Sequence, residues 1–109
     1  MSTQGRLREF FEAENRRDWA RYRQFLHPEV TWRLHGDNEK IIRGIKDYLE
    51  TIQRAYQGVE VQFRCEHMFT SRDGQRIVSY LVDDEGRRSV DIFEFKDGLI
   101  YKEYEFLLQ

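Results

Sequence analysis

The sequence has only one cysteine, Cys65, and only one proline, Pro28, in 109 residues. A single cysteine excludes an intrachain disulfide and a cysteine metal cluster, and it is typical of a reducing compartment. No apolar run is long enough to span a bilayer. The first residues carry charges where a signal peptide would need an apolar segment. We therefore predict a cytoplasmic protein without a membrane partner.

An excess of one sign of charge is also missing. There are 18 Lys and Arg residues and 20 Asp and Glu residues, which gives a formal net charge of -2. This balance creates no long-range field that would attract nucleic acid or an anionic membrane. A basic run does occur at Arg16, Arg17, Arg21 and Arg23, but Asp18 interrupts it, which indicates a solvated helix face. We expect no nucleic-acid partner.

Aromatic residues, in contrast, are abundant. The chain has 8 Phe, 6 Tyr and 2 Trp, so large rings must fill much of its core. No repeat, low-complexity tract or linker rich in proline and glycine divides the sequence. Residues 1–109 are therefore predicted to form one domain.

The first half of the chain has helical periodicity. Mostly apolar residues recur at the spacing i, i+3, i+4 and i+7 near the N-terminus, and the same spacing resumes at Trp19. Asp18 could cap a break between them, so we expect one bent helix or two short ones before Pro28. A further helix is predicted from about Gly44 to Tyr56. The residues that keep the N-terminal spacing are Leu7, Phe10, Phe11, Glu14, Trp19, Tyr22, Phe25 and Leu26.

The second half switches to a period of two. Strands are predicted at Val61–Phe69, Ile77–Asp83, Arg88–Phe95 and Leu99–Leu107, joined by hairpin turns, and Val30–His35 forms an earlier strand. Helices packed on one face of this antiparallel meander give an α+β fold. The last strands have apolar residues on both faces, which indicates that a second copy of the sheet covers the other face. We predict a homodimer.

Four segments occur in a characteristic order: Phe11–Trp19, Leu26–Trp32, Arg43–Ile45 and Val90–Ile100. Together they resemble the SnoaL-like polyketide cyclases and the ketosteroid isomerases over nearly the whole chain. The resemblance implies an NTF2-like cone, in which a curved antiparallel sheet packs on N-terminal helices around a small-molecule pocket. This fold also serves dehydratases, epoxide hydrolases and non-enzymatic binding domains, so it does not set the function.

The resemblance carries over to three functional positions. Ketosteroid isomerases have an oxyanion-binding tyrosine on a helix, and the matching residue here is Phe10, which cannot donate a hydrogen bond. Their general base falls at Leu34 or His35, and neither is a carboxylate. Their strand-borne acid matches Asp91. Polyketide cyclases, in which a strand aspartate is the acid/base, therefore resemble this chain better.

Asp91 is the strongest catalytic candidate. In a strand it shares a face with Ser89, Phe93 and Phe95, so its carboxyl group points toward an aromatic interior. Desolvation there would raise its pKa, which suits a general acid/base near neutral pH. The alternative is a buried aspartate paired with an arginine or with backbone amides.

Two histidines are the candidate partners of Asp91. The period of two places His67 on the apolar face that Cys65 and Phe69 share, and His35 ends the first strand. Either could form a carboxylate–imidazole dyad, although a core histidine without a catalytic role is more common. Because these residues are scattered over separate strands, we expect no metal site. Cys65 is predicted to be a core residue rather than a nucleophile.

Aromatic side chains would line the predicted pocket, and Trp32 and Tyr22 are the first candidates to touch a ligand. The full set is Trp32, Tyr22, Phe10, Tyr48 and Phe93. Two functions remain open. One is acid/base catalysis of the isomerase, cyclase or dehydratase type on a small apolar carbonyl compound, which needs no cofactor. The other is a non-catalytic small-molecule-binding or dimerisation module, whose pocket would serve as a receptor or be partly filled by side chains.

Overall fold

The elements follow the predicted change of period from helices to strands. A computed structural model describes residues 2–108. The helices are α1 (Thr3–Asn15), α2 (Trp19–Arg23) and α3 (Ile45–Ala55). The strands are β1 (Leu26–His35), β2 (Glu39–Arg43), β3 (Phe63–Thr70), β4 (Arg76–Asp83), β5 (Arg88–Lys96) and β6 (Leu99–Leu108). Among the described residues, no helix has the length and apolar character needed to cross a membrane.

The break between α1 and α2 lies where the capping residue predicts it. Asp18 is the N-cap of α2 and accepts the Arg21 amide N–H at 3.2 Å. Just before it, Arg17 adopts a positive φ of 58°. Its guanidinium group donates to the carbonyls of Val59 and Val61 at 2.9 and 2.7 Å. These bonds hold the turn against the segment that leads into β3.

The strands form a six-stranded sheet in the order β2-β1-β6-β5-β4-β3. β3 to β6 are the predicted antiparallel meander, and β1 joins it parallel to β6. The sequence pattern missed β2, which pairs antiparallel with β1 at the edge. Its five residues are mostly exposed, so they lack the alternation that marks a half-buried strand. Pairing with β1, rather than burial, defines this strand.

The helices pack against one face of the sheet, and apolar side chains fill the space between. Phe10 and Phe11 of α1 meet Phe93 of β5 with ring centroids 6.1 and 5.7 Å apart. Burying one such ring contributes about 2–3 kcal/mol. The core also contains Leu7, Ala13, Tyr22, Phe25, Leu26, Val30, Trp32, Tyr48, Leu49, Ile52, Ile77, Leu81, Phe95 and Ile100.

A β-bulge in β6 changes which of its side chains face the helices. Tyr101 is an extra residue that has no partner opposite it in β5. Ile100 before the bulge and Glu103 after it are both buried. In β6, therefore, the residues that face the helices have even numbers before the bulge and odd numbers after it.

A second bulge, in β3, contradicts the predicted position of His67. Glu66 is an extra residue between two successive pairs with β4. Cys65 before it packs against the core, but after it Met68 is the residue that does so. His67 is exposed, and Phe69 is 67% exposed. Sequence alternation cannot reveal such an insertion, because one added residue moves every later side chain to the other face.

Candidate functional site

A cavity of about 420 Å³ lies between the helices and the inner face of the sheet. This volume is within the range of small-molecule sites. Its apolar walls are Phe11, Tyr22, Trp32, Leu34, Ile52, Ala55, Tyr56, Phe63, Leu81, Phe93 and Leu107. The charged and polar residues that reach it are Glu14, Asp83, Arg87, Arg88, Ser89, Asp91, Glu103 and Glu105. The aromatic side chains line this space without plugging it.

Asp91 lies in the cavity wall on β5, on the face that strand alternation predicts for it. It is 5% exposed, and the Ser89 hydroxyl donates to its Oδ1 at 2.7 Å. Burial raises the pKa of Asp91 well above its ordinary value, and the nearby charge of Glu105 adds to this increase. The raised pKa favours the protonated form of the side chain, which can donate a hydrogen bond or a proton.

Two glutamates of β6 lie beside Asp91. Glu105 is its direct cross-strand partner, and one oxygen from each of Asp91, Glu103 and Glu105 lies within 4.8 Å of the others. Carboxyl groups this close cannot all be ionised. Burial, followed by the charge of Asp91, raises the pKa of Glu103 well above its ordinary value, and burial raises that of Glu105.

Neighbouring donors fix both glutamates. The Tyr48 hydroxyl donates to Glu103, and the Trp32 indole N–H donates to Glu105 at 3.1 Å. The three carboxyl groups of Asp91, Glu103 and Glu105 are also close enough to supply oxygen ligands to a divalent cation. Each of these carboxyl groups accepts a hydrogen bond from a protein donor. This arrangement fits a cluster of carboxyl groups that share protons.

A fourth carboxyl group, that of Glu14, faces the cavity from α1. The Tyr56 hydroxyl donates to its Oε2 at 2.5 Å, and the Arg17 guanidinium lies 4.0 Å from the centre of the Tyr56 ring. Burial raises the pKa of Glu14 to about 7, while the hydrogen bond from Tyr56 opposes the increase. Glu14 is therefore partly ionised at neutral pH.

Tyrosine hydroxyls connect the helix side of the cavity to the sheet side. The Tyr48 hydroxyl donates to Glu103, and the Tyr22 and Tyr48 oxygens are 3.3 Å apart, so Tyr22 donates to Tyr48. Both tyrosines are 1% exposed. Burial raises the pKa of each well above its ordinary value, so both keep their protons.

Neither predicted histidine reaches this site. His67 is exposed on the opposite side of the bulged β3. His35 directly follows Leu34, which lines the cavity, so it lies on the outer face, where its ring stacks on Phe106 at a centroid distance of 4.7 Å. The predicted dyad of Asp91 with a histidine does not form.

The aromatic candidates divide into two groups. Trp32, Tyr22 and Phe93 line the cavity, whereas Phe10 and Tyr48 do not. Phe10 stacks on Tyr22 at a centroid distance of 4.1 Å inside the core. Tyr48 serves the site only through its hydroxyl group. The ligand contacts predicted for Phe10 and Tyr48 are therefore corrected.

Three carboxyl groups of the site were not among the predicted site residues. Glu103 and Glu105 lie after the Tyr101 bulge, which places them on the inner face of β6. Glu14 did carry a signal, because it occupies a position of the apolar helical spacing that also includes Phe10. A charged residue at such a position indicates either a misplaced helix face or a functional group.

The curved sheet, the helices over its inner face and the enclosed carboxyl groups together define a cone-shaped α+β pocket protein. Residues 7–103 match the profile of the SnoaL-like domain. The chain belongs to this family, within the NTF2-like group of folds. No curated protein sequence matches the chain.

Solved structures with the same fold include enzymes and a steroid complex. A Kribbella flavida protein, provisionally described as a ketosteroid isomerase, has 24% identity and a TM-score of 0.87 over 98% of this chain and 78% of its own. SalBIII, an epoxide hydrolase/cyclase-like enzyme of pyran ring formation in salinomycin, has 17% identity and a TM-score of 0.82 over 98% and 91%. RV0760c from Mycobacterium tuberculosis, in complex with estradiol-17beta-hemisuccinate, has 16% identity and a TM-score of 0.81 over 96% and 93%. At these identities the similarity establishes the fold.

Proposed function

We propose that this protein is a cofactor-independent acid/base enzyme of the isomerase, cyclase or dehydratase type. Its substrate would be a small, largely apolar compound that carries a carbonyl group. The observation that carries this proposal is the buried carboxyl group of Asp91 in the wall of an aromatic cavity, where burial raises its pKa. Such groups are typical of sites that donate a proton to a developing oxyanion.

The cavity suits both parts of such a substrate. Its apolar wall, which includes Trp32 and Phe93, offers ring faces to a hydrocarbon body. Asp91 offers a proton to a carbonyl oxygen, and Ser89 orients the carboxyl group. Removal of a proton from the carbon next to that carbonyl group then gives an enol, which Asp91 stabilises.

A non-catalytic small-molecule-binding module is the second candidate. The observation that favours it is Leu34, which lies in the cavity wall at one of the two positions where the family resemblance places a general base. A pocket without a base on β1 could bind a ligand and leave it unchanged.

Exchange of carbon-bound protons in D₂O separates the two candidates. The probe is 2-tetralone, an apolar bicyclic ketone, followed by proton NMR and by thermal shift. For the enzyme we expect faster exchange with the wild type and a loss of about tenfold or more in Asp91→Asn. Asp37→Asn makes the same chemical change at an exposed position and should match the wild type. Stabilisation by 2-tetralone with exchange at the background rate would favour the binding module.

We also propose that the protein is a homodimer that pairs through the outer face of its sheet. On that face Val90, Ile92 and Tyr104 are only half-buried in the single chain. A second sheet would remove this apolar surface from water.

A further inference from the structure

We propose that Glu14 of α1 is the proton-accepting group of the cavity and that it acts across the cavity from Asp91. This inference rests on the acid/base function proposed above. It supplies the general base that β1 lacks, and it moves that base from the sheet to a helix.

The position of Glu14 is the first support. Its carboxyl group lies in the wall of the same cavity as Asp91, but on α1 rather than on the sheet. It stands at an apolar position of the helix, next to the buried Ala13. A carboxyl group at a core position is costly unless hydrogen bonds compensate for lost water.

The surroundings of Glu14 supply such a hydrogen bond and fix its orientation. Tyr56, the C-cap residue of α3, donates at 2.5 Å. Arg17 holds the Tyr56 ring from behind at 4.0 Å and also donates to backbone carbonyls. Besides burial, the charge of Glu105 raises the pKa of Glu14, whereas the charge of Arg17 lowers it. Glu14 in turn adds to the increase that burial gives the pKa values of Asp91 and Glu103. Tyr56 is thus a positioning residue for Glu14.

The two carboxyl groups have complementary protonation states. Burial raises the pKa of Glu14 to about 7, whereas burial together with the charge of Glu105 raises the pKa of Asp91 well above its ordinary value. Near neutral pH Glu14 is therefore partly ionised and can accept a proton, whereas the raised pKa of Asp91 favours its protonated form. One wall carries an acid and the other carries a base.

This pair accounts for a complete proton transfer. The carboxylate of Glu14 takes a proton from the carbon next to the carbonyl group, and the electron pair of that C–H bond forms a carbon–carbon double bond. The carbonyl π electrons move to oxygen, which takes the proton of Asp91, so an enol and an Asp91 carboxylate result. In a β,γ-unsaturated ketone the enol is a conjugated dienol. Return of the Glu14 proton to its γ carbon, and of the hydroxyl proton to Asp91, then moves the double bond into conjugation with the carbonyl group and restores both carboxyl groups.

The test compares Glu14→Gln with Glu12→Gln, an exposed glutamate on the same helix, in the 2-tetralone exchange assay between pH 5 and 9. We expect Glu14→Gln to lower the rate about tenfold or more at pH 7 and to abolish the rise in rate around that pH. Tyr56→Phe should keep that rise but move it to higher pH, because the hydrogen bond that lowers the Glu14 pKa is lost. A purely structural role would lower the rate without moving the profile.

Two results would overturn the role of Glu14. One is an unchanged rate and pH profile in Glu14→Gln while Asp91→Asn loses activity, a result that leaves the proposed function intact. The other is a carbon-13 carboxyl signal of Glu14, assigned by its absence in Glu14→Gln, that does not move when 2-tetralone saturates the protein. This NMR measurement reports contact with the probe and is independent of turnover.

Discussion

The two faces of β5 and β6 differ in a way that reverses the usual distribution of polar and apolar residues. The inner face, toward the helices, buries Asp91 and Glu103 at 5% exposure each. On the outer face Val90, Ile92 and Tyr104 remain half-buried in the single chain. Acidic groups are thus hidden from water on one side, while apolar groups remain in partial contact with water on the other.

The outer face can be understood from stability, whereas the inner face can be understood only from function. The half-buried apolar residues of the outer face are the surface that the homodimer proposed above would cover. A buried acidic cluster has no comparable stabilising role, since desolvation of each carboxyl group opposes folding unless that group keeps a proton. The inner face therefore retains destabilising groups, as sites that perform chemistry often do. The following predictions test this difference between the groups around the cavity and those outside it.

The largest expected effect is that of Phe93→Ala compared with its neighbour Ile92→Ala. Phe93 is 1% exposed and contacts the rings of Phe10 and Phe11, so its truncation leaves a cavity in the core. We expect a loss of about 3–5 kcal/mol for Phe93→Ala and roughly 1 kcal/mol for Ile92→Ala. Urea unfolding at low protein concentration measures both. Equal losses would mean that the two faces are equally packed.

The second prediction concerns pH. The pKa of Glu14 is about 7 in the folded chain, against an ordinary value of 4.5, so the folded state binds more protons than the unfolded state between these values. Stability should therefore fall as pH rises from about 4.5 to 7, by up to roughly 3 kcal/mol from this group. Asp91 and Glu103 act in the same direction, since their pKa values are also raised.

Glu14→Gln provides the control for this pH effect. An amide cannot ionise, so the variant should lose part of the slope and should be more stable than the wild type at pH 8. Chemical denaturation at half-unit pH intervals measures the difference. A wild type that gains stability as pH rises from 5 to 8 would contradict the buried cluster.

The third prediction tests the outer face. Ile92→Lys places a charge where the second sheet is proposed to pack, whereas Val59→Lys places the same charge at an exposed apolar position outside the sheet, in the segment between α3 and β3. We expect Ile92→Lys to weaken dimerisation by about tenfold or more, which corresponds to about 1.4 kcal/mol, and Val59→Lys to have no effect. Sedimentation velocity over a concentration series measures the dimerisation of the wild type and of both variants. A monomeric wild type at all concentrations would refute the dimer.

The smallest effects are expected for the two histidines outside the cavity. His67→Ala and His35→Ala should each change stability by no more than about 0.5 kcal/mol. Both should leave the exchange of 2-tetralone at the wild-type rate, since neither imidazole reaches Asp91. Loss of exchange in either variant would show that the substituted histidine takes part in the reaction.

Much of the fold follows from local periodicity. The helical spacing of Leu7 and Phe10, the capping by Asp18 and the alternation around Asp91 each depend on residues close in sequence. They predicted the helix break, the meander and the inner position of Asp91. The edge strand β2 was not predicted, because its residues are mostly exposed and only its pairing with β1 defines it.

The composition of the site was less accessible to sequence reasoning. Placing Glu105 next to Asp91 requires the pairing of β5 with β6 and the position of the bulge at Tyr101. Placing His67 requires the bulge at Glu66. Neither bulge contains a glycine or proline that would mark it. Glu14 was visible as a charge in an apolar pattern, but its partner Tyr56 comes from the end of another helix.

The unpaired Tyr101 has a consequence for how such a chain can change over evolutionary time. Deleting this single residue would restore regular pairing in β6, because Ile100 and Lys102 already lie opposite the successive residues Phe95 and Glu94. Glu103 and Glu105 would stay opposite Phe93 and Asp91 and would still face the cavity. A one-codon deletion at the bulge would thus preserve the acidic lining, whereas the same deletion at a regularly paired position of a strand turns the later side chains to the opposite face.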